Sequence, residues 1–200
     1  VSPKLQNSYL SLVKTMVPKK TVIHIDDSDV IKPDGYKFEA LGLVRDGSKS
    51  SASKSVYEKG YHVTEACVLT SGNHPVSIFS KIHSSKEKNY TSSNDVTFSA
   101  IERGAAVFKE ATFVMDRGYD DNKIFLKFDE LKQDYVIRLK ANRKLFYQNK
   151  WVMATELCNR RKGKIKMPLY YKGKNHEAYL SHVKVQITAS KKDIYLVLVY

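Results

Sequence analysis

The sequence predicts an α/β fold, a mixed sheet flanked by helices, followed by a β-rich basic segment. Three observations lead there. Short apolar runs rich in β-branched and aromatic residues, residues 21–25, 112–115 and 135–139, read as buried strands. Apolar residues at helical spacing lie between the later runs, and a helix joining two short apolar strands is the pattern of a parallel crossover. From Leu145 onward the pattern turns β-like, with basic, aromatic and glycine punctuation.

In chain order, residues 1–20 are expected to be the end of a preceding helical segment. Thr21–Ile25 is a strand that ends in the acidic cluster Asp26-Asp27-Ser28-Asp29. Residues 32–59, rich in Gly, Ser and Lys, form a long loop with one short strand at Ala40–Val44. Tyr61–Thr70 and Val76–His83 form a hairpin around the turn-like residues 71–75. Residues 84–94 are a lysine- and serine-rich surface loop. Phe98, Ile101, Ala105 and Phe108 then give one apolar helical face, capped by Asn94 or Asp95. Thr112–Met115 is a strand running into Asp116. A helix follows over Asp121–Lys132, with Ile124, Phe128 and Leu131 on one face and Asp120 as its cap. Tyr135–Leu139 is the next strand. The expected divisions are 1–20, a core over 21–144, the basic β-rich segment over 145–192, and a strand at 193–200 returning to the core. The sequence opens on Val1 and closes in its most hydrophobic strand, so it is expected to be a piece of a longer protein.

Composition narrows the classes of function. The 200 residues hold 34 Lys and Arg against 21 Asp and Glu, a net charge of +13. Hydrophobic residues make up 42% and aromatics 11%, enough for a core and too much for a disordered chain. The longest apolar run, Tyr195–Tyr200, is too short to span a bilayer. No signal peptide is visible. Cys67 and Cys158 match neither a metal spacing nor a disulfide framework, and read as reduced thiols of a cytoplasmic protein. The positive charge is focused. Residues 138–174 hold twelve Lys and Arg and one acid, Glu156, which is +11 and leaves +2 for the rest. Such a patch fits a polyanion, a nucleic acid or an acidic membrane surface.

Two sets of carboxylates stand at the C-terminal ends of apolar strands, Asp26/Asp27 and Asp116, where open α/β sheets build their sites. If those strands are neighbours the carboxylates converge, and a cation between them relieves their repulsion. A small set of hard oxygen ligands suits Mg²⁺ or Mn²⁺ in phosphoryl transfer. Strand alternation sends Asp26 and Asp27 to opposite faces, so only one faces the metal, and alternation alone does not choose between them. An Asp after a strand also serves as a turn former or helix cap.

The run Ile23-His-Ile-Asp-Asp-Ser-Asp-Val-Ile-Lys32 resembles the first-aspartate strand of bacterial insertion-sequence DDE transposases, which have an RNase H-like fold. Val114-Met-Asp-Arg-Gly-Tyr-Asp-Asp121 resembles their second-aspartate motif, and Tyr135–Arg143 the strand that follows it. The basic region from about Leu145 to Ser190 is similar to the β-rich insertion of members with a hairpin mechanism. The resemblance implies Asp27 as the first metal ligand, because the family pattern places a small hydroxyl or Gly after it, with Asp26 as the fallback. It implies Asp116 as the second. The family's third ligand, a Glu in a Tyr-Arg-Glu-Lys signature, has no counterpart in this sequence and is expected beyond Tyr200, so these 200 residues alone are expected to be inactive.

The function so implied is metal-dependent DNA strand cleavage and strand transfer, with Asp27 and Asp116 catalytic, Mg²⁺ or Mn²⁺ as cofactor, and a homodimer on DNA (transposon ends and target) in the bacterial cytoplasm at the nucleoid. Arg138, Lys140, Arg143, Lys144, Arg160, Arg161 and Lys162 are expected to hold DNA phosphates. Tyr147, Trp151, Tyr170 and Tyr171 interleave with the charge, as stacking on unpaired bases requires. His24 reads as a packed histidine. The competing readings are a non-catalytic nucleic-acid-binding module, with Asp27 and Asp116 as turn and cap residues, or another RNase H-like nuclease.

Overall fold

The computed structural model describes residues 2–200, apart from the Lys191 side chain. In order the elements are α1 (Pro3–Met16), β1 (Val22–Ile31), β2 (Gly42–Arg45), β3 (Tyr57–Leu69), β4 (Pro75–His83), α2 (Ser93–Val107), β5 (Thr112–Met115), α3 (Asn122–Leu131), β6 (Asp134–Ile137), β7 (Lys144–Tyr147), β8 (Lys150–Met153), α4 (Ala154–Arg160), β9 (Ile165–Tyr171), β10 (Lys174–Ile187) and β11 (Ser190–Val199). They divide into two compact units. One holds the residues up to Asp116 with Lys127–Ile137; the other holds Arg117–Leu126 with Arg138–Tyr200.

The sheet of the first unit has the order β2-β3-β1-β5-β6, with β4 also on β3. β1 runs antiparallel to β3 and parallel to β5, and β5 runs parallel to β6. This is the mixed, RNase H-like sheet that the sequence predicts, with the expected crossover between β5 and β6. Alternation along β1 buries Ile23 and Ile25, in register with the buried Phe113 and Met115 of β5. The helices pack on that face. A Cβ on Gly104 of α2 would stand 2.8 Å from Ile23 Cδ1 and 2.9 Å from Phe113 Cε1, so glycine is what lets α2 sit so close. Phe128 stacks on Phe113 and Tyr135, with ring centres 5.2 and 5.0 Å away. Burial pushes the Tyr135 hydroxyl up to about 12. The opposite face, with Val22 and Val136, is exposed.

Several boundaries differ from the expected ones for local reasons. β1 continues through the acidic cluster to Ile31, because β3 pairs it as far as Gly60 and so satisfies its backbone. The cap of α2 is Ser92, not Asn94 or Asp95. Ser92 Oγ accepts the Asp95 N–H at 3.2 Å, the N-cap bond, and donates to Asp95 Oδ2 at 2.7 Å. Asp121 rather than Asp120 caps α3, accepting the Lys123 N–H at 2.7 Å.

The second unit holds a sheet of order β11-β10-β7-β8, with β9 on the other half of β10. β7 and β8 meet at Gln148-Asn149, and β9 and β10 at Lys172-Gly173. Both two-residue turns have positive φ throughout, as tight hairpins require. Leu145, Val152, Leu157, Val185, Leu196 and Leu198 are buried here. Residues 145–192 are β-rich and include one short helix, α4, which buries Leu157. One expectation is corrected: the last strand does not return to the core sheet. β11 pairs with β10 from Leu180↔Val199 to Ile187↔Ser190, which sets the buried Leu196 opposite the buried Val183. The unit boundary also falls at 137/138 rather than 144/145.

Candidate metal centre and nucleic-acid surface

The register of β1 against β5 decides which acids meet. Ile25 pairs with Met115, so the next residues along the two parallel strands are Asp26 and Asp116. Both follow a buried residue and are exposed, on the face away from α2. Their proximity is visible electrostatically. The Asp26 carboxyl is pushed above the ordinary range, first by lost hydration and then by the charges of Asp116 and Asp27. The Asp27 N–H, 3.0 Å from Asp26 Oδ1, works the other way.

Asp27 stands elsewhere. It continues the Ile23–Ile25 face and pairs with Thr64 of β3. Its charge acts on His83, whose side chain is only 1% exposed and whose pKa burial pushes below the usual value. Thr64 Oγ1 lies 2.9 Å from His83 Nε2, while His83 Nδ1 has no hydrogen-bond partner among the described residues. His62 stacks on His83 and pairs with Asp29 at 2.7 Å. The strand faces bring Asp26, not Asp27, to Asp116.

One neighbour escaped the sequence reading. Glu65 of β3 is directly opposite Asp26, on the same face. The alternation of β3 around Asp26 is a pairing signal, invisible before the partner strand is known. Among the described residues no group of three or more His, Cys, Asp or Glu side chains is disposed to hold one metal ion. The site is a pair of carboxylates with an acid beside it. A pair of carboxylates fits Mg²⁺, which keeps several waters and is commonly held by one or two carboxylates plus substrate phosphates.

The basic residues sort into two groups. Arg138, Lys140, Lys144, Arg160 and Lys162 are exposed, though Arg160 pairs with Glu156 at 3.2 Å. The others are held in the second unit. Arg143 is 13% exposed. Its Nε donates to Asp120 Oδ1 at 2.7 Å, its Nη1 donates to Asn122 at 2.8 Å, and its guanidinium lies over the Phe125 ring. Asp120, 1% exposed at its side chain, also accepts the Lys140 N–H at 2.7 Å. Lys140 Nζ reaches the Asp120 carbonyl at 3.3 Å. Arg161 donates to the His182 carbonyl and the Tyr147 hydroxyl. Arg143 is thus a structural clasp rather than a free phosphate contact, and Asp120 is its partner rather than a helix cap. Of the interleaved aromatics, Trp151, Tyr170 and Tyr171 are exposed.

Among the described residues no helix is long and apolar enough to cross a membrane. A comparison with curated proteins finds no match. A family model described as the transposase DDE domain matches residues 18–195. That span takes in Asp26, Asp116 and the basic sheet. By the match, the chain belongs to the DDE transposase domain family.

Proposed function

We propose that this domain carries out metal-dependent DNA strand cleavage and strand transfer, with Asp26 and Asp116 as the carboxylates that hold Mg²⁺ or Mn²⁺. The observation that carries the reading is the β1–β5 register, which sets these two acids side by side where the parallel pairing of β1 with β5 ends. Their mutual repulsion is what a divalent cation relieves. When bound, the metal supplies Lewis-acid stabilisation of the attacking and leaving oxygens in an in-line displacement. The chain's own residues do the rest. Asp26 and Asp116 bind and orient the ion at an open strand edge, and the exposed Arg138, Lys144, Arg160 and Lys162 hold phosphates. Work as a homodimer on two DNA ends belongs to the same reading and is supported by the family alone.

Asp26→Asn and Asp116→Asn should each abolish Mg²⁺-dependent strand cleavage and leave duplex binding unchanged. Undiminished cleavage in either variant overturns the assignment. Wild-type duplex binding with no metal-dependent cleavage favours a non-catalytic nucleic-acid-binding module instead.

A further inference from the structure

The outer face of the second unit's sheet departs from the usual antiparallel pattern. One face packs into the core through Val183, Val185, Leu196 and Leu198, so the other should be polar. It is not. β9 presents Ile165, Met167, Leu169 and Tyr171 outward, and β11 presents Tyr195, Val197 and Val199. β10 carries Lys174 and His176 beside the β9 row and His182 and Lys184 beside the β11 row, all exposed.

The rings and the cations are paired. Tyr171 lies beside His176 with centroids 6.4 Å apart, and Tyr195 beside His182 at 6.0 Å. Lys184 Nζ is 5.7 Å from the Tyr195 ring centre, and Lys172 Nζ is 5.3 Å from that of Tyr171. Tyr195 and Tyr171 remain 64% and 57% exposed. Acids are kept away. Glu177 points to the other side of the ribbon, in register with Pro168, and pairs with Lys166. Asp193 sits at the bulged end and is engaged by Gln186 at 3.0 Å.

Charge and shape select the occupant. A second copy would set the lysine row against an identical one, on a chain that carries +13. Duplex DNA offers phosphates to the lysines but hides its bases from the apolar rows. An unpaired strand offers both phosphates and base faces. We propose that the outer face of β9, β10 and β11 is a platform for single-stranded DNA, with Tyr171 and Tyr195 as stacking rings and Lys174 and Lys184 as phosphate contacts. This rests on the DNA-processing reading above and adds the form of DNA that the second unit takes. Lys174 and Lys184 are ten residues apart on one strand, about 33 Å, a run suited to several nucleotides.

The test is fluorescence anisotropy of the 200-residue chain with a labelled oligo-dT of about 12 nucleotides, in parallel with a mixed-sequence duplex. Tyr171→Ala and Tyr195→Ala should each weaken oligo-dT binding by about tenfold and leave duplex binding unchanged, while Tyr195→Phe retains wild-type affinity. Both tyrosines are exposed, and unchanged circular dichroism verifies that the variants fold. Equal oligo-dT affinity in wild type and the alanine variants overturns the proposal. So does duplex binding without oligo-dT binding, which leaves the broader DNA reading standing. Binding of neither probe overturns both. Self-association abolished by Tyr195→Ala, with oligo-dT binding untouched, makes the face an interface between copies and overturns the platform.

Discussion

Asn at position 26 and Asn at position 27 should change stability in ways that tell the two faces of β1 apart. In the metal-free chain Asp26 bears lost hydration and the charges of Asp116 and Asp27. Carboxylates on adjacent strands, about 5 Å apart in water-like surroundings, repel by about 1 kcal/mol, and salt trims that figure. Asn keeps the oxygen that accepts the Asp27 N–H and removes the charge. Asp26→Asn should therefore stabilise the metal-free fold by about 1 kcal/mol at neutral pH and low salt. With Mg²⁺ the order reverses. Wild type gains about 2.7 kcal/mol at a hundredfold excess over Kd, and the variant gains little. Asp27→Asn keeps the Mg²⁺ gain, because Asp27 faces Thr64 and His83 instead. The assay is urea unfolding by circular dichroism, with EDTA and then with Mg²⁺. Mg²⁺ stabilisation that survives Asp26→Asn but disappears in Asp27→Asn would refute the face assignment.

Asp120→Ala leaves the Arg143 guanidinium nearly buried without its carboxylate, and should cost about 2–4 kcal/mol in thermal unfolding, with Asp120→Asn recovering part of it; a loss below about 1 kcal/mol counts against the clasp. Gly104→Ala drives a methyl into Ile23 and Phe113 and should destabilise by about 1–3 kcal/mol, read from the urea midpoint. His83 is held below its ordinary pKa, so the unfolded chain binds its proton more readily than the folded one. Its contribution is complete above about pH 6.5 and is lost as pH falls below that, so the urea midpoint should drop between about pH 7.5 and 5.5, and His83→Gln should flatten the drop. Arg160→Gln and Lys162→Gln should each reduce the salt dependence of duplex binding by about 0.9 in log–log slope, whereas Arg143→Gln should lower stability and leave the slope alone.

The first unit was largely legible because its signals are local. Ile23, Ile25, Phe113 and Met115 announce buried strands by composition, and Ile124 and Phe128 announce a helix by period. Elements set by partners were less legible. β1 runs on through four polar residues because β3 pairs them, and nothing in Asp26–Asp29 itself favours a strand. α4 was hidden by its shortness, since seven residues with one buried leucine give no period to read. β11 was assigned to the wrong sheet because an apolar strand states that it is buried, not beside which neighbour.

The candidate site divides along the same line. Residue type and strand position pointed to Asp116 and to one of two acids in β1, and there the sequence had to stop, because choosing between adjacent residues of a strand is a question of register. A one-residue shift of β1 against β5 would exchange Asp26 for Asp27 on the side of Asp116, and would also turn Ile23 and Ile25 away from α2. The core therefore fixes which acid of β1 meets Asp116. Burial of the two isoleucines under Gly104 compels Asp26, two strand positions after His24, to emerge on the open face beside Asp116. The same logic explains Arg143. A cation in a basic run reads as a phosphate contact until a buried partner appears, and that partner, Asp120, lies 23 residues upstream. Charge counted along a chain measures the pull on a polyanion; only packing shows which cations remain free to exert it.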